Sequence, residues 1–96
     1  MLESDTKTKM VKYIDALPMG KAVKYPVEGA YGTVGTPDIL ACVNSRMIVI
    51  EGKRTSKEQP TAIQRYQLRK WIEAGAYGMV AWTLEQIIEA VEGGLK

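Results

Sequence analysis

Two short apolar stretches separated by a polar dipeptide dominate the hydrophobic pattern of the chain. Residues 37–43 and 46–52 flank Asn44-Ser45. Two residues between two apolar runs is the spacing of a tight β-hairpin, and asparagine tolerates the left-handed backbone that such a turn requires. If the dipeptide is the whole loop, the last residue of the first strand pairs with the first residue of the second. The pattern therefore predicts a hairpin with a defined register.

This register gathers three charged side chains at the far end of an otherwise apolar hairpin. It places Asp38 opposite Glu51, and the alternation of side chains along a strand puts Lys53 on the same face. Opposed Cβ atoms lie roughly 5 Å apart, where two like charges repel each other. A divalent cation would turn that repulsion into attraction, so the hairpin predicts a metal site. The alternative is a surface ion-pair cluster that closes the hairpin without a metal.

The rest of the pattern predicts three helices and two further strands. In chain order these are a helix at 3–17, an edge strand within 21–34, the two hairpin strands, a helix at 61–75, a strand at 77–82 and a helix after Thr83. A strand–helix–strand passage after the hairpin is typical of a crossover that adds a parallel strand. The order α-β-β-β-α-β-α therefore predicts an α/β fold in which helices flank a small mixed β-sheet.

Two polar side chains lie on the apolar lines of predicted helices. Counting back from Leu17 in steps of three and four residues reaches Glu3, which either compensates the helix dipole or brings a third carboxylate to the metal. Leu68, Trp71 and Ile72 form the predicted inward stripe of a helix capped by Thr61, and Gln64 lies four residues before Leu68 in its first turn. A buried amide needs hydrogen-bond partners. Gln64 therefore either bonds backbone at the helix start or holds the active-site lysine or a metal-bound water.

Composition limits the chemistry that the chain can perform. It has 96 residues, 46% hydrophobic and 25% charged, which predicts one folded domain over residues 1–96. The chain has no histidine, so carboxylates, lysine and a hard metal ion must carry any hydrolytic chemistry. The single cysteine, Cys42, is expected to be a small buried hydrophobe and suits a reducing compartment. No run of 18 apolar residues or signal-peptide pattern occurs, so we expect a cytoplasmic protein that does not enter membranes.

The net charge of the chain is only +2, but its positive side chains include a group that follows the hairpin. This half of the chain includes Arg54, Lys57, Arg65 and Arg69. These side chains are expected to follow a nucleic-acid phosphate backbone. The alternative is an ordinary solvated helix face.

Pro37-Asp38 followed by Glu51-Gly52-Lys53 resembles the signature of the PD-(D/E)xK nuclease superfamily. The flanking Gly-x-x-Asp-Ile-Leu, Ile-Glu-x-Lys-Arg and glutamine-bearing helix resemble the VRR-NUC (virus-type replication-repair nuclease) family, in its standalone phage and bacterial form. The resemblance covers roughly residues 1–90. It implies a restriction-endonuclease-like core, and it places a glutamate and a glutamine beside the active site at the positions of Glu3 and Gln64.

The residues and the resemblance point to the same division of labour. Asp38, Glu51 and the carbonyl of Gly52 would bind Mg²⁺ or Mn²⁺, because hard oxygen ligands suit these ions. Lys53 would orient the attacking water or stabilise the transition state. Gly52 departs from the family pattern, which commonly has a branched apolar residue there. A glycine in mid-strand loosens the site or marks a bulge.

The resemblance implies a nuclease that cleaves branched DNA as a homodimer. One small domain offers one active site and little DNA surface, which also favours dimerisation, and Tyr13, Tyr31 and Met79 are candidates for the interface. We therefore expect a Holliday-junction resolvase that acts on four-way junctions, in the host cytosol if phage-encoded. The alternatives are a flap or nicking endonuclease and a non-catalytic DNA-binding module that keeps the fold.

Overall fold

The computed structural model describes residues 4–24, 35–53, 55 and 57–95. Its elements, in chain order, are α1 (Ser4–Asp15), β1 (Gly20–Lys24), β2 (Ile39–Val43), β3 (Arg46–Gly52), α2 (Ala62–Glu73), β4 (Tyr77–Ala81) and α3 (Leu84–Glu92). The order is the predicted α-β-β-β-α-β-α. The α/β fold predicted from the sequence is therefore confirmed.

The four strands form one mixed sheet in the order β1-β2-β3-β4. The hairpin of β2 and β3 has the predicted register, with Val43 paired to Arg46 and Leu40 to Val49. Its turn residues Asn44 and Ser45 have φ angles of 50° and 70°, the left-handed pair that a tight hairpin requires. β3 and β4 run parallel, as the crossover through α2 predicts.

The ends of several elements differ from the prediction. β2 begins at Ile39 rather than at residue 37, and α1 ends at Asp15 rather than at 17. α2 ends at Glu73 with Ala74 as its C-cap, so Gly75, expected to be the cap, lies one residue beyond it. Gly75 has a φ of +114°, which a glycine adopts without strain. The part of the predicted edge strand that follows residue 24 lies outside the described residues.

The hydrophobic core lies between one face of the sheet and the helices α1 and α3. From the sheet it takes alternate residues of β2 and β3, such as Ile39 and Ile50, and from the helices Met10, Ile14 and Ile87. All of these side chains are almost completely buried. Alternation along the strands therefore sends the even-numbered residues of β2 and the odd-numbered residues of β3 to the opposite face.

α2 covers only part of that opposite face, where it packs on β3 and β4. Leu68 and Ile72 of the predicted inward stripe of α2 do face β4, but Ile72 is still 47% exposed and no described residue of the helix is fully buried. Cys42, expected to be buried, is exposed, because it lies on β2 beyond the reach of this helix. None of the helices in the described part of the chain is long and apolar enough to cross a membrane.

A glycine in β4 lets α2 approach the sheet. A Cβ built on Gly78 would lie 2.6 Å from Cγ1 of Ile72 and 3.1 Å from Cδ1 of Leu68. These distances are shorter than van der Waals contact, so a larger residue displaces the helix or its side chains. The position of α2, and of every residue that it carries, therefore depends on the absence of a side chain at this position.

We expect Gly78→Ala to lower the free energy of unfolding by about 1–3 kcal/mol, because the added methyl group overpacks this contact. In an Ile72→Ala background the same substitution should cost less, since the closest contact is gone. Urea unfolding of the four proteins in this double-mutant cycle measures the difference. An equal cost in both backgrounds would contradict the contact.

Candidate active site

The charged residues of the hairpin lie at one end of the sheet, where β2 begins and β3 ends. Asp38 immediately precedes β2, Glu51 is the penultimate residue of β3, and Lys53 directly follows that strand. The parallel pairing continues without interruption through Glu51–Val80 and Gly52–Ala81. Gly52 therefore lies in a regular strand, and the alternative of a bulge at this position is wrong.

Asp38 has two partners, one for each carboxylate oxygen. Its Oδ2 accepts a hydrogen bond of 2.9 Å from the backbone N–H of Gly52. Its Oδ1 lies 3.5 Å from Nζ of Lys7, which extends from α1. The backbone hydrogen bond ties the start of β2 to the end of β3, so the position of the carboxylate is set by the hairpin itself.

Glu51 is a carboxylate buried at this end of the sheet. The residue is only 2% exposed, and its Oε1 is buried without a hydrogen-bond partner among the described residues. Burial is the main cause that raises the pKa of its carboxyl group to about 7; the charge of Asp38 and a side-chain hydrogen bond with it act in the same direction, whereas the ammonium groups of Lys53 and Lys7 lower this pKa. A buried oxygen without a partner among the described residues is costly, and either a proton shared with Asp38 or a bound cation would relieve that cost.

Lys53 is held in place from three directions. Its Nζ donates a hydrogen bond of 2.7 Å to Oε1 of Gln64 and lies 3.9 Å from Oε2 of Glu51. Its backbone N–H donates to the carbonyl of Ala81 on β4 at 2.9 Å. The residue is only 8% exposed. With Glu51 and Lys53 both buried, the alternative of a surface ion-pair cluster does not describe this site.

Gln64 satisfies both of the roles that its position allowed. Its Oε1 accepts from the backbone N–H of Thr61 at 2.9 Å and, at the same time, from Lys53. With the reciprocal bond from its own N–H to Oγ1 of Thr61 it completes a capping box at the start of α2. Helix capping therefore fixes the amide oxygen that orients the lysine.

The structure adds one site residue that the sequence interpretation did not assign. Lys7 lies on the same apolar line of α1 as Met10 and Ile14, and its side chain is 20% exposed where it meets Asp38. The sequence signal that could have identified Lys7 was the position of a lysine on the buried line of a helix. Its partner was not predictable, because it depends on how α1 docks across the end of the sheet.

The remaining candidates lie outside the site or outside the described residues. Glu3, Arg54 and Tyr31 are not among the described residues. Lys57, Arg65 and Arg69 are exposed, the last two one turn apart on α2. Arg65 donates to the carbonyl of Pro60 at 2.9 Å, and Arg69 lies over the ring of Tyr66. The proposed interface residues Tyr13 and Met79 are partly buried against the core.

The carboxylate pair fits a divalent metal ion. It combines hard oxygen donors with a buried oxygen that has no partner among the described residues. Within the described ranges no group of three or more histidine, cysteine, aspartate or glutamate side chains could hold a metal. Among the described residues, such an ion would be bound by Asp38 and Glu51 with waters or backbone oxygens, and Glu3, outside the described residues, stays a predicted third carboxylate. The carbonyl of Gly52 stays a predicted ligand.

Comparison with known proteins identifies the fold. No protein-family model and no curated protein matches the chain. Among solved structures, one described as a "VRR_NUC domain" aligns over 94% of this chain and 94% of its own with a TM-score of 0.74 and 22% identity. A second, a "VRR_NUC domain protein", aligns over 97% of this chain and 87% of its own with a TM-score of 0.73 and 14% identity. The chain therefore has the fold of a VRR-NUC domain, as its sequence motifs implied.

Glu51 should make the stability of the metal-free protein depend on pH. Its pKa is about 7 in the folded protein and 4.5 ordinarily, so the folded state holds the proton more tightly between these values. The contribution of Glu51 to the free energy of unfolding should therefore be greatest below pH 4.5. It should fall as the pH rises to about 7. Urea unfolding in the presence of a chelator, at a series of pH values, measures this fall.

Glu51→Gln should remove this component of the pH dependence, because the amide does not titrate. Glu89→Gln, which changes an exposed glutamate on α3, should retain it. If the Glu51→Gln protein loses stability over the same pH range as the wild type, the burial of an uncompensated carboxyl group at this position is refuted.

Proposed function

We propose that the chain is a VRR-NUC nuclease, a metal-dependent endonuclease that hydrolyses phosphodiester bonds in DNA. The observation that carries the proposal is the buried, unpartnered oxygen of Glu51 beside Asp38. Buried polar atoms in folded proteins are almost always satisfied. A divalent cation held by the two carboxylates would satisfy this oxygen and offset both the burial of the charge and the repulsion from Asp38 that together raise the pKa of Glu51.

The chain's own residues divide the work of this reaction. Asp38 and Glu51 would hold Mg²⁺ or Mn²⁺, which supplies an acidified water and neutralises charge on the scissile phosphate when bound. Lys53 donates to the attacking water or to the oxygens of the phosphate, because its ammonium group lies beside Glu51. Gln64 orients Lys53 through the hydrogen bond of 2.7 Å.

The exposed face of α2 supplies positive charge next to the site. Arg65 and Arg69 lie on the helix whose first turn carries Gln64, and Lys57 precedes that helix. A DNA backbone that delivers a phosphate to the carboxylate pair would pass close to this face. These three residues, together with Arg54, are the proposed phosphate contacts.

The proposed substrate is a four-way DNA junction cut by a homodimer. Each chain carries one carboxylate pair, so symmetric cleavage of two strands needs two copies of the domain. The support for this choice is the VRR-NUC fold together with the small size of the chain. With one exposed cysteine, the protein suits a reducing compartment, and we propose a cytoplasmic location, which is the host cytosol if the chain is phage-encoded.

We expect the wild type to cut a labelled four-way junction with paired symmetric cuts only when Mg²⁺ or Mn²⁺ is added. Lys53→Met should slow cleavage by roughly 100-fold or more, because it removes a donor to the developing negative charge. Lys70→Met is the matched control, since Lys70 is an exposed lysine in the last turn of α2. Flap and nicked duplex substrates are assayed in parallel.

Preferential cutting of flaps or nicked duplexes would show that the substrate is one of these DNA structures and not the four-way junction. Binding of branched DNA without metal-dependent cutting of any substrate would refute the nuclease and leave a DNA-binding module.

Gln64 and Gln86 form a matched pair that separates capping from catalysis. Each completes a capping box at a helix start, Gln64 with Thr61 and Gln86 with Thr83. Both alanine substitutions should therefore cost about 1 kcal/mol of stability. Only Gln64→Ala should also slow cleavage, by roughly 10- to 100-fold, since only Gln64 holds the active-site lysine. Equal cleavage rates in the two variants would contradict the orienting role.

A further inference from the structure

The two ammonium groups beside the carboxylate pair are held very differently. Lys53 Nζ makes a hydrogen bond of 2.7 Å to Gln64 and stays 3.9 Å from Glu51. Lys7 Nζ lies 3.5 Å from Oδ1 of Asp38, a distance longer than the about 2.7–2.9 Å of a strong charge-assisted hydrogen bond. Lys53 is therefore anchored by a neutral partner outside the pair, whereas Lys7 is loosely attached to the pair itself.

Lys7 lies beside one oxygen of Asp38, Oδ1, while the backbone holds the other. Its other oxygen, Oδ2, already accepts from the backbone N–H of Gly52. A metal ion held by the carboxylate of Asp38 would bring a second positive charge close to the ammonium of Lys7, which lies 3.5 Å from Oδ1. Two positive charges at one carboxylate group repel each other, so the ion and the ammonium group compete.

The anchoring of α1 makes such an exchange mechanically simple. Lys7 is three residues before Met10, which is completely buried and fixes the backbone of the helix. The lysine side chain itself has four methylene groups and rotatable bonds, so the ammonium group can leave without moving the helix. Its side chain is 20% exposed, which gives the ammonium group access to solvent.

From these contacts we propose that Lys7 is a built-in substitute for the catalytic metal ion. It neutralises Asp38 while the site holds no metal, and it is displaced when a divalent cation binds. The inference rests on the proposed metal-dependent function and adds to it a positioning residue outside the hairpin. Removal of the charge should then have two effects of opposite sign, with weaker stability of the metal-free protein and tighter binding of the metal.

The test measures both quantities on the same proteins. Isothermal titration with Mn²⁺ at one pH and ionic strength gives the dissociation constant, and urea unfolding with a chelator gives the stability of the metal-free state. The variants are Lys7→Met and Lys7→Gln, which remove the charge, and Lys7→Arg, which keeps it. Lys12→Met is the matched control, because Lys12 is an exposed lysine in the last turn of the same helix.

We expect Lys7→Met and Lys7→Gln to bind Mn²⁺ roughly tenfold more tightly than the wild type while being less stable without it. Lys7→Arg should stay close to the wild type in both measurements, and Lys12→Met should change neither. A residue that merely supported the fold would lower stability without improving the affinity for metal.

One outcome would overturn this inference alone: the wild type binds Mn²⁺, Asp38→Asn abolishes that binding, and neither Lys7→Met nor Lys7→Gln binds Mn²⁺ more tightly than the wild type. Absence of Mn²⁺ binding in the wild type and in every variant would overturn the proposed function as well. Binding that appears only after the charge of Lys7 is removed would support the competition directly.

Discussion

The repulsion between Asp38 and Glu51 is the constraint around which this end of the molecule is arranged. The hairpin register brings the two carboxylates together, and the burial of Glu51 removes the water that would otherwise screen them. The protein relieves the repulsion with the amide of Gly52 and the ammonium groups of Lys7 and Lys53. It still leaves one buried oxygen of Glu51 unpartnered and its pKa raised to about 7.

A stable hydrophobic core on one face of the sheet allows the charged residues to be held together at the end of the sheet. α1 and α3 bury the apolar residues of β2 and β3, so the hairpin keeps its register without help from the charged residues. The three residues of the site on the hairpin follow from that register. The two others come from helices: Gln64 from the capped first turn of α2, and Lys7 from α1. The site is therefore a meeting point of the strand ends with two helices, α2 and α1.

The sequence was informative wherever a local rule determines the structure. Asn44-Ser45 predicted the turn, and hence the pairing that places Asp38 near Glu51, because two-residue hairpins have a fixed register. Helical spacing placed Gln64 on the buried line of α2, and the family resemblance placed it beside the active site. Cys42 and Ile72 were expected to be buried and are exposed, since burial depends on how much of the sheet a helix covers. The contact of Lys7 with Asp38 depends in the same way on helix docking, which no local pattern encodes.

The central claim is that the carboxylate pair is a metal site, and a crystal structure grown with Mn²⁺ tests it most directly. Anomalous scattering locates the ion without assumptions about its ligands. We expect a peak in contact with both Asp38 and Glu51, including the oxygen of Glu51 that has no partner among the described residues. A fully ordered site with no anomalous peak between these side chains, or a peak bound elsewhere, would contradict it.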